Sequence, residues 1–392
     1  MIKIQLKAHR DEAVKRFHPW IFSGAIHRME GSPEDGDIVE IFDKQGEWIA
    51  TGHYQDASIS VRIISFEYQE IDQNFWNQKI ENAFLYRKKI GIADASDTNC
   101  YRLVHAEGDG LPGLIVDIYG NTAVMQCHSI GMYLSRREIA QAIQNTLGKR
   151  IDGIYDKSKE SLPKDFAATV ENAYLFGSKT ADVVVENGAK FQIDWEGGQK
   201  TGFFLDQRDN RKLLGTYAKD KTVLNTFCYT GGFSMYALLN GAKRVDSVDV
   251  SGKAIDLVNA NTILNGDHSL IHTSHAEDVM DFLKKNDAQY DIIIVDPPAF
   301  AKSLDKRHNA VQGYKRLNVL ALEKVAPGGI LFTFSCSQVV DRQLFYDTIV
   351  SAAIEAGRQV RVMHHLTQPA DHPVNLFHPE GSYLKGLVLF VE

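Results

Sequence analysis

The chain has 392 residues, 44% hydrophobic and 24% charged, ordinary globular usage that excludes a disordered or fibrous chain. At a soft prior of roughly 150 residues per domain, this length predicts two or three domains. No apolar run approaches the roughly 20 residues of a membrane-spanning helix, and the opening MIKIQLKAHRDEAVKRF carries charges where a signal peptide has its apolar core. Four cysteines without CxxC spacing build neither a disulfide framework nor a zinc site, so a reducing cytoplasm is the expected setting. A net charge of -7, taken over the whole chain, argues weakly against nucleic acid as a partner.

Residues 1–73 read as short strands between turns. Ile38, Val39 and Ile41, then Trp48 and Ile49, then Ile59, Val61 and Ile63 form β-favouring runs broken by Gly36, Gly46 and Gly52, which predicts a small β-barrel or sandwich. A helix is expected from Asp72 to about Lys89, with Phe75, Ile80, Phe84 and Leu85 on one buried face and Gly91 as its stop. Residues 74–189 read as an α+β middle domain. Its expected strands lie near Tyr101–His105, Leu114–Ile118, Thr122–Cys127, Ile154 and Ala181–Glu186, with a helix over about Met132–Leu147. The loop EGDGLPG, residues 107–113, is dense in turn formers and expected to be exposed.

From 190 to 392 the pattern alternates. Val223–Thr226, Val245–Asp249, Ile292–Asp296 and Ile330–Phe334 are short apolar runs, each followed by a helix-compatible stretch, which predicts a parallel sheet covered by helices on both faces. The first run breaks into CYTGG before FSMYALLNG. Two glycines there let a ligand approach the backbone and leave helix N–H groups free, although a plain tight turn would use the same pair. The second run ends at Asp249, where doubly wound folds hold the ribose hydroxyls of a nucleoside cofactor. The third ends in Asp296-Pro297-Pro298, a rigid turn that presents Asp296 at the carboxyl edge of the sheet. The fourth, ILFTFSCSQ, delivers Cys336 to the same edge.

VLNTFCYTGGFS, VDVS, HAEDVMDFL and VDPPAF resemble the ordered motifs of class I S-adenosylmethionine-dependent methyltransferases. With TGFFLDQRDNR, SCS and PEGSYLKG, the chain is similar to a family of bacterial 23S ribosomal RNA cytosine-C5 methyltransferases. RFHPWIFSGAI resembles the start of that family's RNA-binding PUA domain, so the likeness covers essentially the whole sequence. It implies a Rossmann-like methyltransferase domain with a mostly parallel sheet, preceded by a PUA-like barrel and the α+β segment. By the same resemblance Asp249 would hold the ribose and Asp278, with Glu277 as a competing choice, the adenine. Phe227, Tyr229 and Gly231 would line the methionine side. Lys200, Phe204, Asp206, Gln207 and Arg208, in a hairpin before the sheet, would close over the cofactor beside Asp296. The plain alternative for TGFFLDQRDNR is a surface hairpin ending in a helix cap at Asp206 or Asp209.

Cytosine C5 is a poor nucleophile, so methyl transfer to it needs a temporary bond at C6, and a thiolate of lowered pKa is suited to form it. Cys336 fits that role, with Asp296 on the N3/N4 edge of the base; a small buried residue is the plain alternative. Cys100, Cys127 and Cys228 are read as structural. Some RNA cytosine-C5 methyltransferases carry a second cysteine where this chain has Ala299. Ala299 therefore weakens a two-cysteine mechanism, while Cys336 still favours carbon methylation; related enzymes with D-P-P and no cysteine at the Cys336 strand end methylate guanine nitrogens, so guanine N-methylation is the nearest rival reading. A nicotinamide oxidoreductase is disfavoured by the lack of GxGxxG, and a non-catalytic RNA-binding protein remains the third alternative.

Charge is local. Residues 1–28 hold Lys3, Lys7, Arg10, Lys15, Arg16 and Arg28 interleaved with Phe17, Trp20 and Phe22, a pattern for phosphates and stacked bases, although Trp20 and Phe22 could equally be core. A second basic stretch after the D-P-P turn holds Lys302, Lys306, Arg307, Lys315 and Arg316. The expected partner is 23S ribosomal RNA, with no membrane and with a homodimer left open. His372 and His378 lack a sequence-local set of metal ligands, so no metal is assigned.

Overall fold

The computed structural model describes every residue except Met1, Asp267 and Lys302. The chain divides into two compact units. The first comprises Met1–Val184, Ile193–Leu205 and Ala370–Gly381; the second comprises Val185–Gln192, Asp206–Pro369 and Ser382–Glu392. Among the described residues, no helix is long and apolar enough to cross a membrane.

The first unit contains two sheets. One has six strands in the order Trp20–Phe22, Ile59–Ser65, Trp48–Tyr54, Ile38–Phe42, Ile2–Leu6 and Ile26–Glu30. Alternation sends Ile4, Leu6, Val39, Ile41, Val61 and Ile63 inward, which is the buried half of the pattern expected from residues 1–73. The other sheet runs Ala173–Gly177, Gly153–Asp156, Thr122–Cys127, Leu114–Tyr119 and Cys100–His105. The helix Gln73–Lys89 packs with it, its first turn capped by Asp72, whose carboxylate accepts the Phe75 N–H at 2.9 Å.

Three expectations need correction here. The loop 107–113 is half-buried over 107–110 and buried over 111–113 rather than exposed, because Asp109 takes the Arg87 guanidinium and Leu111 joins the core. Leu85 is exposed, because the buried face of its helix is formed by Phe75, Trp76, Ile80, Ala83, Phe84 and Arg87. Arg87 can be buried because it forks onto Asp109 and donates to the Arg102 and Asp371 carbonyls. The helix expected over 132–147 is two helices, Ile130–Leu134 and Arg136–Leu147, separated at Ser135.

In the second unit a seven-stranded sheet runs His272–Ala276, Arg244–Asp249, Thr222–Thr226, Tyr290–Val295, Val325–Ser335, Lys385–Val391 and Val360–Leu366. The first five are parallel, and Lys385–Val391 runs antiparallel between Val325–Ser335 and Val360–Leu366, closing one edge. The sheet order reverses at Thr222–Thr226. Its neighbours on either side are reached by crossover in opposite directions, which opens a crevice at the carboxyl ends. Ile293, Val295, Leu331, Leu387 and Leu389 supply the sheet side of a core packed against Leu317, Leu322, Phe345 and Ile349 of the helices.

Candidate active site

The loop after Thr222–Thr226 is held in an unusual conformation. Phe227, Tyr229 and Gly231 have φ of 53°, 47° and 80°. A bulky side chain in the left-handed region costs on the order of 1–3 kcal/mol and persists only where its surroundings over-determine it. Here Asp249 does so: its carboxylate accepts the Tyr229 N–H at 3.0 Å and the Ser251 N–H at 2.9 Å. Asn261 donates to the Thr230 carbonyl at 2.9 Å from the neighbouring helix. Gly231 then caps the helix Gly232–Leu239, and a Cβ at Gly231 would press on the Val258 methyls at 3.2–3.3 Å besides straining its backbone. Asp249 is half-buried, so it retains lone pairs beyond these two contacts while organising the loop.

Asp278 is exposed and caps the helix Val279–Lys285, accepting the Asp281 N–H at 3.1 Å. Glu277 is half-buried, and its N–H bonds the Asp249 carbonyl at 3.1 Å. Both therefore sit at the carboxyl end of the His272–Ala276 strand, one position apart.

The stretch expected as a hairpin is not one. The hairpin before the sheet is formed by Val183–Glu186 and Ala189–Gln192, whereas Leu205–Gln207 is a 3-10 turn leading into the helix Arg208–Tyr217. Neither Asp206 nor Asp209 caps that helix; Gln207 occupies the cap position. Lys200 and Phe204 belong to the 193–205 segment of the first unit, Lys200 exposed with φ of 52° and Phe204 half-buried. In the second unit Arg208 lies 3.6 Å from Glu186, which is fully buried and takes a two-pronged pair from Arg211 at 2.8 Å and 2.8 Å. Arg208 thus serves a buried charge network, a role that no spacing in TGFFLDQRDNR announces.

The reaction edge carries four ionisable groups. Val295 and Thr333 are register partners on adjacent parallel strands, so Asp296 and Cys336 leave the sheet side by side. Gln207 donates to Asp296 at 3.0 Å. Burial, then the charge of Asp206, push the Asp296 carboxyl up to about 7. Burial, then the charges of Asp296 and Asp206, push the Cys336 thiol up to about 11. The expected lowered thiol pKa is therefore not a property of the ligand-free protein, because two carboxylates and poor hydration disfavour thiolate together. Asp206 accepts the Tyr383 hydroxyl at 2.7 Å through one oxygen, and its other oxygen is buried with no hydrogen-bond partner.

The fourth group escaped sequence reasoning. Lys385 pairs in register with Ser335, is 4% exposed, and donates to the Ser337 carbonyl at 2.7 Å, so its chain runs alongside Cys336. Burial pulls its ammonium down to about 8. The available signal was one charge at the start of the apolar run KGLVLFV. Ser337 also donates to the Ala301 carbonyl at 2.7 Å, fixing the SCS turn against the D-P-P loop. Cys100, Cys127 and Cys228 are buried, and burial holds the thiols of Cys127 and Cys228 well above their ordinary value.

In the first unit, a cleft of about 370 Å³ is lined by residues that include His9, Arg10, His18, Trp20 and Phe22. Trp20 is half-buried and donates from its indole to Glu107 at 2.8 Å, while Phe17 and Phe22 are half exposed. Lys15 is exposed but committed to Asp11 at 2.6 Å and Asp43 at 2.8 Å; Arg16 is freer, 4.0 Å from Glu12. Lys306 and Arg307 are exposed at the start of the helix Arg307–Lys324, and Lys302 lies outside the described residues.

The donor set fits S-adenosylmethionine. A buried Asp206 oxygen without a donor suits its ammonium, and a half-buried Asp249 beside the left-handed loop suits its ribose. Residues 168–383 match the family of S-adenosylmethionine-dependent methyltransferases, and residues 4–66 match the PUA-like domain family. A putative S-adenosylmethionine-dependent methyltransferase from Streptococcus mutans superposes with a TM-score of 0.85 at 25% identity over 100% of both chains. A putative methyltransferase solved with S-adenosylhomocysteine gives 0.86 at 24% identity, also over 100% of both. The chain is thus an S-adenosylmethionine-dependent methyltransferase with a PUA-like domain. Among curated relatives it is 39% identical to ribosomal RNA large subunit methyltransferase I of Tolumonas auensis over 98% of each chain. It is 41% identical to that of Vibrio parahaemolyticus, again over 98% of each. It belongs to the ribosomal RNA large subunit methyltransferase I family.

Proposed function

We propose that the protein methylates cytosine C5 in 23S ribosomal RNA in the cytoplasm, with Cys336 as the nucleophile. The observation that carries this reading is the pairing of a half-buried thiol with a carboxyl group of pKa about 7 on adjacent strand ends. A lone-pair attack from a guanine nitrogen would need the carboxyl group but no thiol. The substrate reading also draws on the names of the curated relatives. Residues 1–73 would form the RNA-binding domain, 74–189 a middle domain and 190–392 the methyltransferase. Lys15, Arg16, Trp20, Lys302, Lys306 and Arg307 would meet the RNA, and a base within a structured region would be unstacked to enter the site.

Bound S-adenosylmethionine supplies an electrophilic methyl group. Lys200, Phe204, Asp206, Gln207 and Arg208 would close over it, Phe227, Tyr229 and Gly231 would line its methionine side, and Asp249 and Asp278 would hold ribose and adenine. Asp206 would hold its ammonium, and a neutralised Asp206 would no longer help hold the Cys336 thiol up. Asp296 in its protonated form donates to the base and removes the second such charge. Lys385 then stands as the remaining charge beside Cys336, and it favours thiolate. The Cys336 thiolate would add to C6, and the 5,6 electron pair would attack the methyl carbon from C5 as its bond to the sulfonium breaks, leaving a neutral thioether. A general base would then take the C5 proton, and the pair left behind would re-form the 5,6 double bond and expel Cys336 as thiolate. A thiol raised when free and released when loaded spares the nucleophile from side reactions.

Labelled-methyl transfer to ribosomal RNA followed by nucleoside analysis tests the assignment. The expected product is 5-methylcytidine, and its formation should be lost in Cys336→Ala. Recovery of a methylguanosine, or undiminished transfer by Cys336→Ala, overturns the covalent cytosine reading.

A further inference from the structure

His378 is 2% exposed, and neither of its ring nitrogens has a hydrogen-bond partner. A buried polar atom left unpaired is costly, and most such atoms in folded proteins find a partner. The groups facing this ring are unlike one another. The Nε2 of His18 lies 3.8 Å from one oxygen of Glu380, and the Nε2 of His378 lies 3.8 Å from the other. All three ligand-bearing atoms fall within 4.8 Å of one another. The Trp20 ring packs on His378 at 4.3 Å between centroids, and its indole N–H is taken by Glu107, so it offers His378 no donor.

We propose that His18, His378 and Glu380 form a site for a divalent late-transition metal of the zinc type, with a fourth position open to water. Two imidazoles and one carboxylate are a recurring three-residue donor set for zinc, with bonds of about 2.0–2.2 Å. Tetrahedral ligand atoms then stand about 3.4 Å apart, so the observed spacings need only a modest closure.

The Trp20 N–H donates to the Nδ1 of His18 at 3.2 Å, and the Trp20 carbonyl lies 3.3 Å from the same nitrogen. A metal on Nε2 would move the ring proton to Nδ1, where that carbonyl can accept it. Phe17, immediately before His18, has φ of 64°, a strained turn for a bulky residue. Glu380 sits on the short turn Pro379–Gly381, with its carboxylate 54% exposed and able to swing inward. The site therefore ties the opening of the chain to its last segment within the first unit. Its ligands lie 360 positions apart in the sequence, which is why no local motif reveals them.

The test uses the full chain with any affinity tag removed, dialysed against chelator and then against buffer. Zinc titration should give one tight equivalent and raise the melting temperature by several degrees, and magnesium and calcium should do neither, because they prefer all-oxygen sites. Cobalt should give the visible bands of a tetrahedral nitrogen–oxygen site. His378→Ala should lose the equivalent, and Glu380→Gln, at an exposed position that leaves folding intact, should weaken binding at least tenfold. Absence of a stoichiometric equivalent overturns the proposal. So does zinc binding of wild-type affinity in Glu380→Gln, which would assign the metal to other surface histidines.

Discussion

Replacing Asp296 with Asn should make Cys336 more reactive in the ligand-free protein, even though the same change removes the group proposed to bind the base. The thiol stands at about 11 because burial and the charges of Asp296 and Asp206 disfavour thiolate. At pH 8.5 Asp296, with its pKa near 7, is ionised. Asn therefore deletes one like charge and leaves the packing nearly intact. Burial is the larger cause of the Cys336 shift and Asp296 the second, so Asn should release only part of it. Each unit of lowered thiol pKa raises the thiolate fraction tenfold, while lower basicity costs nucleophilicity with a Brønsted slope of about 0.4–0.5. The net gain in alkylation rate is about three- to fourfold per unit, which bounds the expected gain at about that size.

The assay is iodoacetamide labelling quenched over time, with the Cys336 peptide quantified by mass spectrometry. Cys100, Cys127 and Cys228 are buried and serve as internal standards that should not react. At pH 5.5 the wild-type Asp296 is already protonated, so the two proteins should label alike, and the gap should open as pH rises through about 7. Equal rates at pH 8.5, or a gap that persists at pH 5.5, would refute the electrostatic account of the thiol.

Lys385→Met should act in the opposite sense, slowing Cys336 labelling at pH 8.5, and Lys385→Arg should recover part of the rate; an unchanged rate in Met would show that Lys385 serves the strand alone. Glu186→Ala leaves Arg208 and Arg211 buried without their counter-charge, and breaking such a network costs about 3–5 kcal/mol, measurable as a fall in the urea midpoint. His53 is held near 4, chiefly by burial. The unfolded chain therefore binds more protons than the native one between about 6.5 and 4. Stability should fall as pH drops through that window, by up to about 1.4 kcal/mol per pH unit for this histidine, and His53→Phe should flatten the fall. Asp296 has the opposite sign: its raised pKa costs stability as pH rises from 3.8 to about 7, so Asp296→Asn should melt higher than wild type at pH 8 but not at pH 4.

The legible part of the second unit is the part buried on both faces. The strands containing Val223–Thr226, Val245–Asp249, Ile292–Val295 and Ile330–Phe334 read as apolar runs because helices cover both sides, and their ends carried Asp249, Asp296 and Cys336 to one edge. His272–Ala276 has no such run. HTSHA is polar because it forms the sheet's outer strand, and burial is partial along its length. Val360–Leu366 was hidden for the same reason at the other edge. The hairpin Val183–Glu186 with Ala189–Gln192 was legible only in its first half. The hairpin expected over TGFFLDQRDNR is instead a turn and a helix start, because Asp206, Gln207 and Arg208 meet Tyr383, Asp296 and Glu186 from other elements of the chain.

That last pattern explains why the chemistry of the edge was only partly visible. Strand spacing places a residue at the mouth of the sheet, but its protonation state depends on neighbours drawn from Asp206, Asp296, Cys336 and Lys385, which come from four separate stretches. Taken alone, SCS at a strand end predicts an activated thiol; Asp206 and Asp296 reverse the sign of the shift. The left-handed Phe227 and Tyr229, the unpartnered Asp206 oxygen and the crowded carboxylates are all unfavourable in the ligand-free chain, and they converge on one crevice. Unfavourable terms concentrated in this way are those a bound cation and a hydrogen-bonding base would relieve. Binding free energy would then appear as thiolate formation rather than as tight ground-state affinity. On this argument, Asp206→Asn should lower the Cys336 thiol in the free protein while weakening its response to cofactor, because the charge to be cancelled is already gone.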